Sequence, residues 1–487
     1  MTYRHPRFFR CFLFAICSLA LIYIGSAEVL ADDSGLIRIQ STEPLTLNQL
    51  LDAARTHNTD LQKARADLSV NRLLKLNAIG DFLPSLSVGY QISQSNYYSP
   101  TYTNPDGTVS SYPITTTEPT FYVDSLGYYR QGDYQTVTHD IPEGERRNSS
   151  LYISLQARLN LGGQEIYGLK NASKSVAINQ LNLESAELEV EGSIRQQYYW
   201  VLAYQKLLEL AERVLEQSRD QLELAQVRYE VGSVTELDVM QAEIDVGNQE
   251  NEVMSAQNNL QTAREELNLL LGIDLSSEYP LVDEFRVEAP QYKLDELVER
   301  AQANRPDMKV SELSTEMYRN NVRQYRGSYF PDLTASISHS RSEQSGSNVD
   351  FTLDPRNRST QYSLGLSWTL FDGFSREVSL QEARVAERQA KLDQVALNQT
   401  IEQSVRQSYY TLMRIWDQSQ TTAKNRELGR RQLELEQELY RLGSASQLEL
   451  RSAQVTYTQA ETDHIYKTLE YLINLALLEE AVGGSLD

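Results

Sequence analysis

Only two cysteines occur in the 487 residues, Cys11 and Cys17, and both lie near the N-terminus. The rest of the chain therefore has no disulfide framework, no thiolate nucleophile and no cysteine metal site. Long apolar runs are scarce as well. The longest, Cys11 to Gly25, is shorter than the roughly 20 residues that a spanning helix needs. Positive charge is in deficit: 45 Lys and Arg against 67 Asp and Glu leave a net charge of -22, which argues against nucleic acid and an anionic membrane surface as partners. The hydrophobic share of 40% is low for this length and suits long, solvated helices better than one thick core. Catalytic and metal patterns are missing too. His57, His139, His339 and His464 are scattered, without an HExxH, a nucleophile elbow or a phosphate-binding glycine loop. No catalytic residue, metal or cofactor is expected, and the acids of the long helical stretches read as a solvated face.

What is present begins with export. Arg4, Arg7 and Arg10 precede the apolar run, and Val29-Leu30-Ala31 precedes Asp32, the form of a signal peptide, residues 1–31, removed after Ala31. Ile16, where a small residue is wanted, argues against lipidation at Cys17.

The remainder repeats itself. Leu47, Leu50, Ala54, Asp60 and Pro84 recur as Leu294, Leu297, Ala301, Asp307 and Pro331, shifted by 247. Tyr198-Tyr199, Tyr229, Gly232 and Leu237 recur as Tyr409-Tyr410, Tyr440, Gly443 and Leu448, shifted by 211, so 36 extra residues fall in the first strand-to-strand loop. This spacing predicts an internal duplication: a first repeat over 32–271, a linker over 272–291 and a second repeat over 292–484. Each repeat carries short helices, two strands (about 83–93 and 151–162; about 330–340 and 361–371) and two long helices (about 164–231 and 235–271; about 374–442 and 446–482).

Two periodicities support those elements. From Gln164 to Val231 there is no proline, and Ile194, Val201, Leu208, Leu215, Leu222 and Tyr229 fall at sevens. Val239, Val246, Val253, Leu260 and Leu267 do the same, the mark of a left-handed supercoil. In the strands Leu86, Val88, Tyr90 and Ile92 alternate with Ser85, Ser87, Gly89 and Gln91, and Leu364, Leu366 and Trp368 alternate with Ser363, Gly365 and Ser367. Such an apolar face can pack on a soluble core. In an exported, acidic chain with slender helices, lipid is the better partner, and about ten residues matches a tilted outer-membrane strand. Four strands cannot close a barrel, so the chain must oligomerise; strand counting leaves open whether two copies or three do so. Asn96 to Arg147, rich in tyrosine, threonine and glycine, is expected to be a loop facing the cell exterior, or a soluble binding loop.

Several short motifs then stand out. Leu83-Pro84-Ser85-Leu86 and Phe330-Pro331-Asp332-Leu333 open strands, and Leu370-Phe371-Asp372-Gly373 leads from a strand into a helix. Tyr229-Glu230-Val231-Gly232-Ser233 and Tyr440-Arg441-Leu442-Gly443-Ser444 turn the long helices back. Together, in order and in duplicate, they resemble the TolC family, the outer-membrane channels of tripartite efflux pumps and type I secretion systems. The resemblance implies a mainly α fold with β: a TolC-like homotrimer whose four β-strands per protomer form a shared twelve-stranded transmembrane barrel continuing into a long periplasmic α-helical barrel. It implies a place in outer-membrane lipid of a Gram-negative bacterium, and a periplasmic adaptor protein and an inner-membrane transporter as partners.

The same resemblance puts Asp238 on a position that ties helices shut at the pore entrance, Tyr440 on its partner, and Glu449 on an acidic position lining that entrance. The turns with Gly232, Ser233, Gly443 and Ser444 become the contact with adaptor or transporter. Ala445 stands where a relative has arginine, and Ser452 where some have a second acid. Thr235-x-x-Asp238 and Ser446-x-x-Glu449 are equally helix-capping patterns. The expected function is the trimeric exit duct of a tripartite efflux pump, gated at its helical tip. The alternatives are the outer-membrane component of a type I secretion system and a non-conducting structural or adhesion coiled coil.

Overall fold

The computed structural model describes residues 37–39, 43–97, 101–111, 114–139, 144–282, 285–345 and 357–486; the signal segment 1–31 lies outside them. Helix α1 (Leu47–His57) starts at Thr46, which accepts from the Gln49 N–H while the Gln49 side chain accepts from the Thr46 N–H, a reciprocal capping box. Asn58 turns the chain into α2 (Thr59–Gly80), its Oδ1 accepting from the N–H groups of Asp60 and Leu61. After Pro84 the apolar period falls to two and β1 (Ser85–Tyr97) begins.

Between β1 and β6 (Gly144–Asn160) the expected plain loop is in fact two hairpins, β2 (Thr101–Thr103) with β3 (Val109–Ser111) and β4 (Ile114–Val123) with β5 (Tyr129–His139). Threonine and tyrosine favour a pleated backbone, and two glycine turns close the hairpins. Gly107 and Gly127 have φ of 84° and 83°, and Asp106 and Asp124 accept backbone N–H bonds within those turns.

The chain continues through α3 (Gln164–Glu230), α4 (Glu236–Leu271), α5 (Leu294–Asn304), α6 (Pro306–Gly327), β7 (Asp332–Ser345), β8 (Arg358–Ser367), α7 (Ser375–Arg441) and α8 (Gln447–Val482). Helices α3 and α7 each have 67 residues, and α4 and α8 each have 36. Two compact units result. One joins the described residues up to Lys63 with Ala186–Leu297 and the chain from Ser404 on; the other joins Ala64–Ser185 with Val298–Gln403.

The second unit holds an antiparallel sheet in the order β1-β6-β7-β8. Its register aligns like with like: Leu86, Leu155, Ile337 and Tyr362 form one row, and Leu159, Leu333 and Leu366 another. The opposite face is hydroxyl-rich, with Ser87 and Ser154 bonded at 2.6 Å and Ser336 and Ser363 at 2.6 Å. On the apolar face Val88, Leu364 and Leu366 remain 65% to 76% exposed. Strand β8 stops at Ser367, short of the expected 371, because its partner β7 begins opposite it at Asp332, after Pro331, which has no N–H to donate.

The first unit is built on the sevens. Leu47, Leu50, Leu51 and Ala54 of α1 pack with Ile194, Tyr198 and Val201 of α3 and with Leu260, Ala263, Leu267 and Leu271 of α4. Farther along α3, Leu210 and Val214 meet Ile465 and Leu469 of α8. Tyr229, the last of its series, is 47% exposed. A straight helix drifts by about 20° per heptad, so a series that starts on the buried face leaves it.

The segment after α4 is fastened by side chains. Buried Asn268 donates to the carbonyls of Leu275 and Ser277 at 3.0 Å each and accepts from the Tyr279 hydroxyl at 2.7 Å. The hydroxyls of Tyr198 and Tyr471 donate to the carbonyls of Val282 and Glu288, both at 2.6 Å. Gly272 ends α4 with φ of 72°, and a Cβ there would lie 2.3 Å from the His57 carbonyl oxygen. Gly272→Ala combines left-handed strain of about 1–2 kcal/mol with an overpacking cost of about 1–3 kcal/mol. It is expected to lower the unfolding midpoint, followed by far-UV circular dichroism in detergent.

Candidate functional site

The two helix turns are alike in detail. Gly232 (φ 74°) and Gly443 (φ 76°) are left-handed. Ser233 N–H bonds back to the Arg228 carbonyl at 2.8 Å, and Ser444 N–H to the Leu439 carbonyl at 2.8 Å. This six-to-one bond with a glycine before it ends a helix sharply and satisfies its last carbonyls. Three residues later each returning helix is capped. Thr235 N–H donates to Asp238 Oδ2 at 2.8 Å, and Ser446 N–H donates to Glu449 Oε2 at 2.7 Å. The hydroxyls of Thr235 and Ser446 accept from the N–H of Asp238 and Glu449 in return.

These bonds set the charge of both acids. The Thr235 hydroxyl, then its N–H, hold Asp238 below the usual carboxylate range. The Ser446 N–H, then its hydroxyl, do the same for Glu449. Both are carboxylates at neutral pH.

Within the single chain no hydrogen bond joins Asp238 to Tyr440. Asp238 closes on its own helix start, while Tyr440 is buried among Leu433, Leu450, Ala453 and Leu224. The partner of Tyr440 is Arg228 of α3. Its Nη2 donates to the Tyr440 carbonyl at 3.0 Å, and its guanidinium lies 4.5 Å from the centre of the Tyr440 ring. Two further ties join the hairpins: Arg451 pairs with Asp245 at 2.9 Å, and Gln221 donates to Gln454 at 3.0 Å. Sequence reasoning missed Arg228, Asp245, Arg451, Gln221 and Gln454. One signal was available, since Asp245 follows Asp238 by one heptad and shares its helix stripe.

At the end of each turn apolar side chains point into solvent. Val231 and Leu237 on one turn, and Leu442 and Leu448 on the other, are 73% to 75% exposed. Gly232 and Gly443 have no atom within 4 Å of a built Cβ, so an incoming surface can approach the backbone closely. Among the described residues no group of acids, histidines and cysteines could hold a metal ion, and no helix is long and apolar enough to cross a membrane.

Comparison with known proteins gives a consistent picture. The profile of a family described as outer membrane efflux protein matches residues 50–273 and 297–484. No curated protein matches in sequence. Among solved structures the chain is similar to CusC, with 16% identity, a TM-score of 0.69, and 94% of this chain and 96% of that chain covered. It is similar to the CmeC outer membrane channel of Campylobacter jejuni, with 16% identity, a TM-score of 0.69, and 90% and 85% covered. It is also similar to the MtrE outer membrane channel of Neisseria gonorrhoeae in its open state, with 18% identity, a TM-score of 0.66, and 90% and 89% covered. At these identities the likeness is one of fold.

The lowered carboxyls make the turns pH-sensitive in one direction. The stability they contribute is present above the unfolded carboxyl range and is lost as pH falls through the lowered folded values. Hydrogen exchange at the first amides of α4 and α8 is therefore expected to accelerate, relative to mid-helix amides, on acidification. In Asp238→Asn the α4 response should vanish while that of α8 persists.

Proposed function

The chain belongs to the outer membrane efflux protein family, and from that premise we propose that it is the exit duct of a tripartite efflux pump. It is a protein of the outer membrane that extends into the periplasm. In this reading three copies share one barrel, which continues into a tunnel of long helices. An inner-membrane transporter supplies the energy, a periplasmic adaptor couples the two, and the duct performs no chemistry of its own.

One observation carries the trimer: a four-stranded sheet with one apolar face, one hydroxyl face and, among the described residues, unpaired edges at β1 and β8. In lipid those edges must be paired by other copies. An eight-stranded barrel is filled by its own side chains, whereas twelve strands leave room for a conduit. Three copies therefore fit a duct and two do not. The serine-rich face would line the water, and the Leu86 to Tyr362 row would face lipid.

Gating follows from the weakness of the ties at the tips. The Arg451 and Asp245 side chains are 48% and 22% exposed, and a pair of that kind contributes about 0.2–1 kcal/mol. The Arg228 contact with Tyr440 adds a cation–π attraction of similar size, about 0.5–1 kcal/mol. A partner that covers Val231, Leu237, Leu442 and Leu448 could offset such a sum, since burying one leucine or valine fully contributes about 1.5–3 kcal/mol. Threefold repetition would make Glu449 a ring of carboxylates at the entrance, favouring cations.

Purified protein is expected to migrate as a detergent-stable trimer and to give discrete conductance steps in planar bilayers. Monomers without current would remove the duct reading. Arg228→Ala and Asp245→Asn should each raise the conductance by loosening the tips. Glu449→Gln should shift the reversal potential in a salt gradient toward zero; an unchanged potential would leave that residue with capping alone.

A further inference from the structure

The apolar face of the sheet ends in charge. Outward from the row of Leu155, Ile337 and Tyr362, the next row sets His339 opposite Thr360, and the one after it sets Arg341 directly opposite Arg358. This is the last pair of the β7–β8 register, at the end of the sheet away from the long helices. Arg358 is exposed and Arg341 half-buried. Like charges placed directly opposite one another weaken a strand pair, so the ladder alone gives no reason for two arginines here.

Their neighbours on that face do not neutralise them. His339 and Thr360 share a hydrogen bond with each other at 2.7 Å, and the residue beside Arg341 on β6 is Leu151. Glu343, the nearest acid on the face, lies opposite Ser149 and leaves its Oε2 buried without a hydrogen bond. Among the described residues neither arginine has an ion-pair partner. Depth in the proposed barrel is set by the strand. Arg341 lies eight residues beyond Leu333, about 27 Å of strand at ~3.4 Å per residue, or about 20 Å along the membrane normal at a tilt of about 40°. A long side chain carries the guanidinium farther, to the rim of an apolar band about 25 Å tall. An arginine on the lipid face is costly at the midplane and tolerated at the interface.

We propose that Arg341 and Arg358 form a clamp for a lipid phosphate in the outer leaflet, the phosphomonoester of a phosphorylated glycolipid. Two guanidinium forks match the oxygens of one such group, and its double negative charge removes the repulsion between them. The net charge of -22 repels an anionic surface at long range, but salt screens that repulsion beyond about 8–10 Å. At contact the local pair decides. The proposal rests on the membrane-duct reading, in which the strand ends away from the long helices face the cell exterior, and gives each copy one clamp.

Bound lipid is counted by native mass spectrometry on trimers in neutral detergent, titrated with diphosphoryl lipid A, with its dephosphorylated form and with inorganic phosphate. Diphosphoryl lipid A should bind about tenfold more tightly than the dephosphorylated form, and the Arg341→Gln, Arg358→Gln double variant should lose that preference. Glu343→Gln, which removes the nearest negative charge, should bind more tightly than the wild type. Thermal unfolding gives a second reading. Without lipid, Arg358→Gln should melt a few degrees above the wild type because the repulsion is relieved; with diphosphoryl lipid A the order should reverse. Equal preference in the wild type and the double variant would overturn the clamp. Displacement of the lipid by millimolar inorganic phosphate would also overturn it, assigning the pair to an anion in water. Either result in trimers that conduct leaves the duct standing, whereas monomers without current would sink the duct reading itself.

Discussion

A sheet in lipid has no water to complete its edge hydrogen bonds, and each orphaned backbone group there costs several kcal/mol. In the proposed duct much of this chain is arranged around that constraint. Among the described residues β1 and β8 are the edges of the four-stranded sheet, so in the proposed duct a single copy is an incomplete object. The register within one chain sorts leucine and isoleucine to one face and serine to the other. Side-chain hydroxyls on the polar face bond one another across strands; those bonds can stand beside water, whereas no protein layer covers the opposite face among the described residues. The low hydrophobic share of the sequence follows too, since slender helices and a single sheet enclose little volume.

The helices face a different balance. Around α1, α3 and α4 the sevens are buried and meet leucine and alanine on every side. Toward the turns Val231, Leu237, Leu442 and Leu448 come to the surface, and only a small core around Leu433, Tyr440, Leu450 and Ala453 remains beside polar contacts that tolerate water. Stability is thus unevenly distributed along the same helices. The turns themselves are well formed, with glycine stops and reciprocal caps at both. A segment of this kind can keep its local geometry while its neighbours separate, because capping bonds lie within one turn of chain and the inter-hairpin ties do not.

Much of this was legible in the sequence, for local reasons. Alternation in β1 and β8 comes from a pleated backbone with two unlike faces, and the hydroxyl-x-x-acid patterns at Thr235 and Ser446 need only three neighbouring residues to form. What was not legible depended on distance along the chain. Arg228 reaches Tyr440 across more than two hundred residues, and no periodicity announces that contact. The same holds for Asp245 with Arg451. The stretch after β1 failed for another reason: its composition suggested a loop, while the β preference of threonine and tyrosine with two glycine turns made hairpins.

The linker after α4 has a consequence for the environment in which the protein can work. It is fastened by tyrosine hydroxyls and an asparagine amide, groups that carry no charge. Burial raises the Tyr279 hydroxyl far above its ordinary value and pushes Tyr471 up to about 12, so both keep their protons well into alkaline solution. Salt has no charge to screen in those bonds, whereas Asp274 of the same segment, held below the usual carboxylate range by the Ser276 hydroxyl and N–H, is a group that acid would titrate. Acid would therefore reach the Asp274 turn while the tyrosine and asparagine bonds beside it hold, as they do in brine and in alkali.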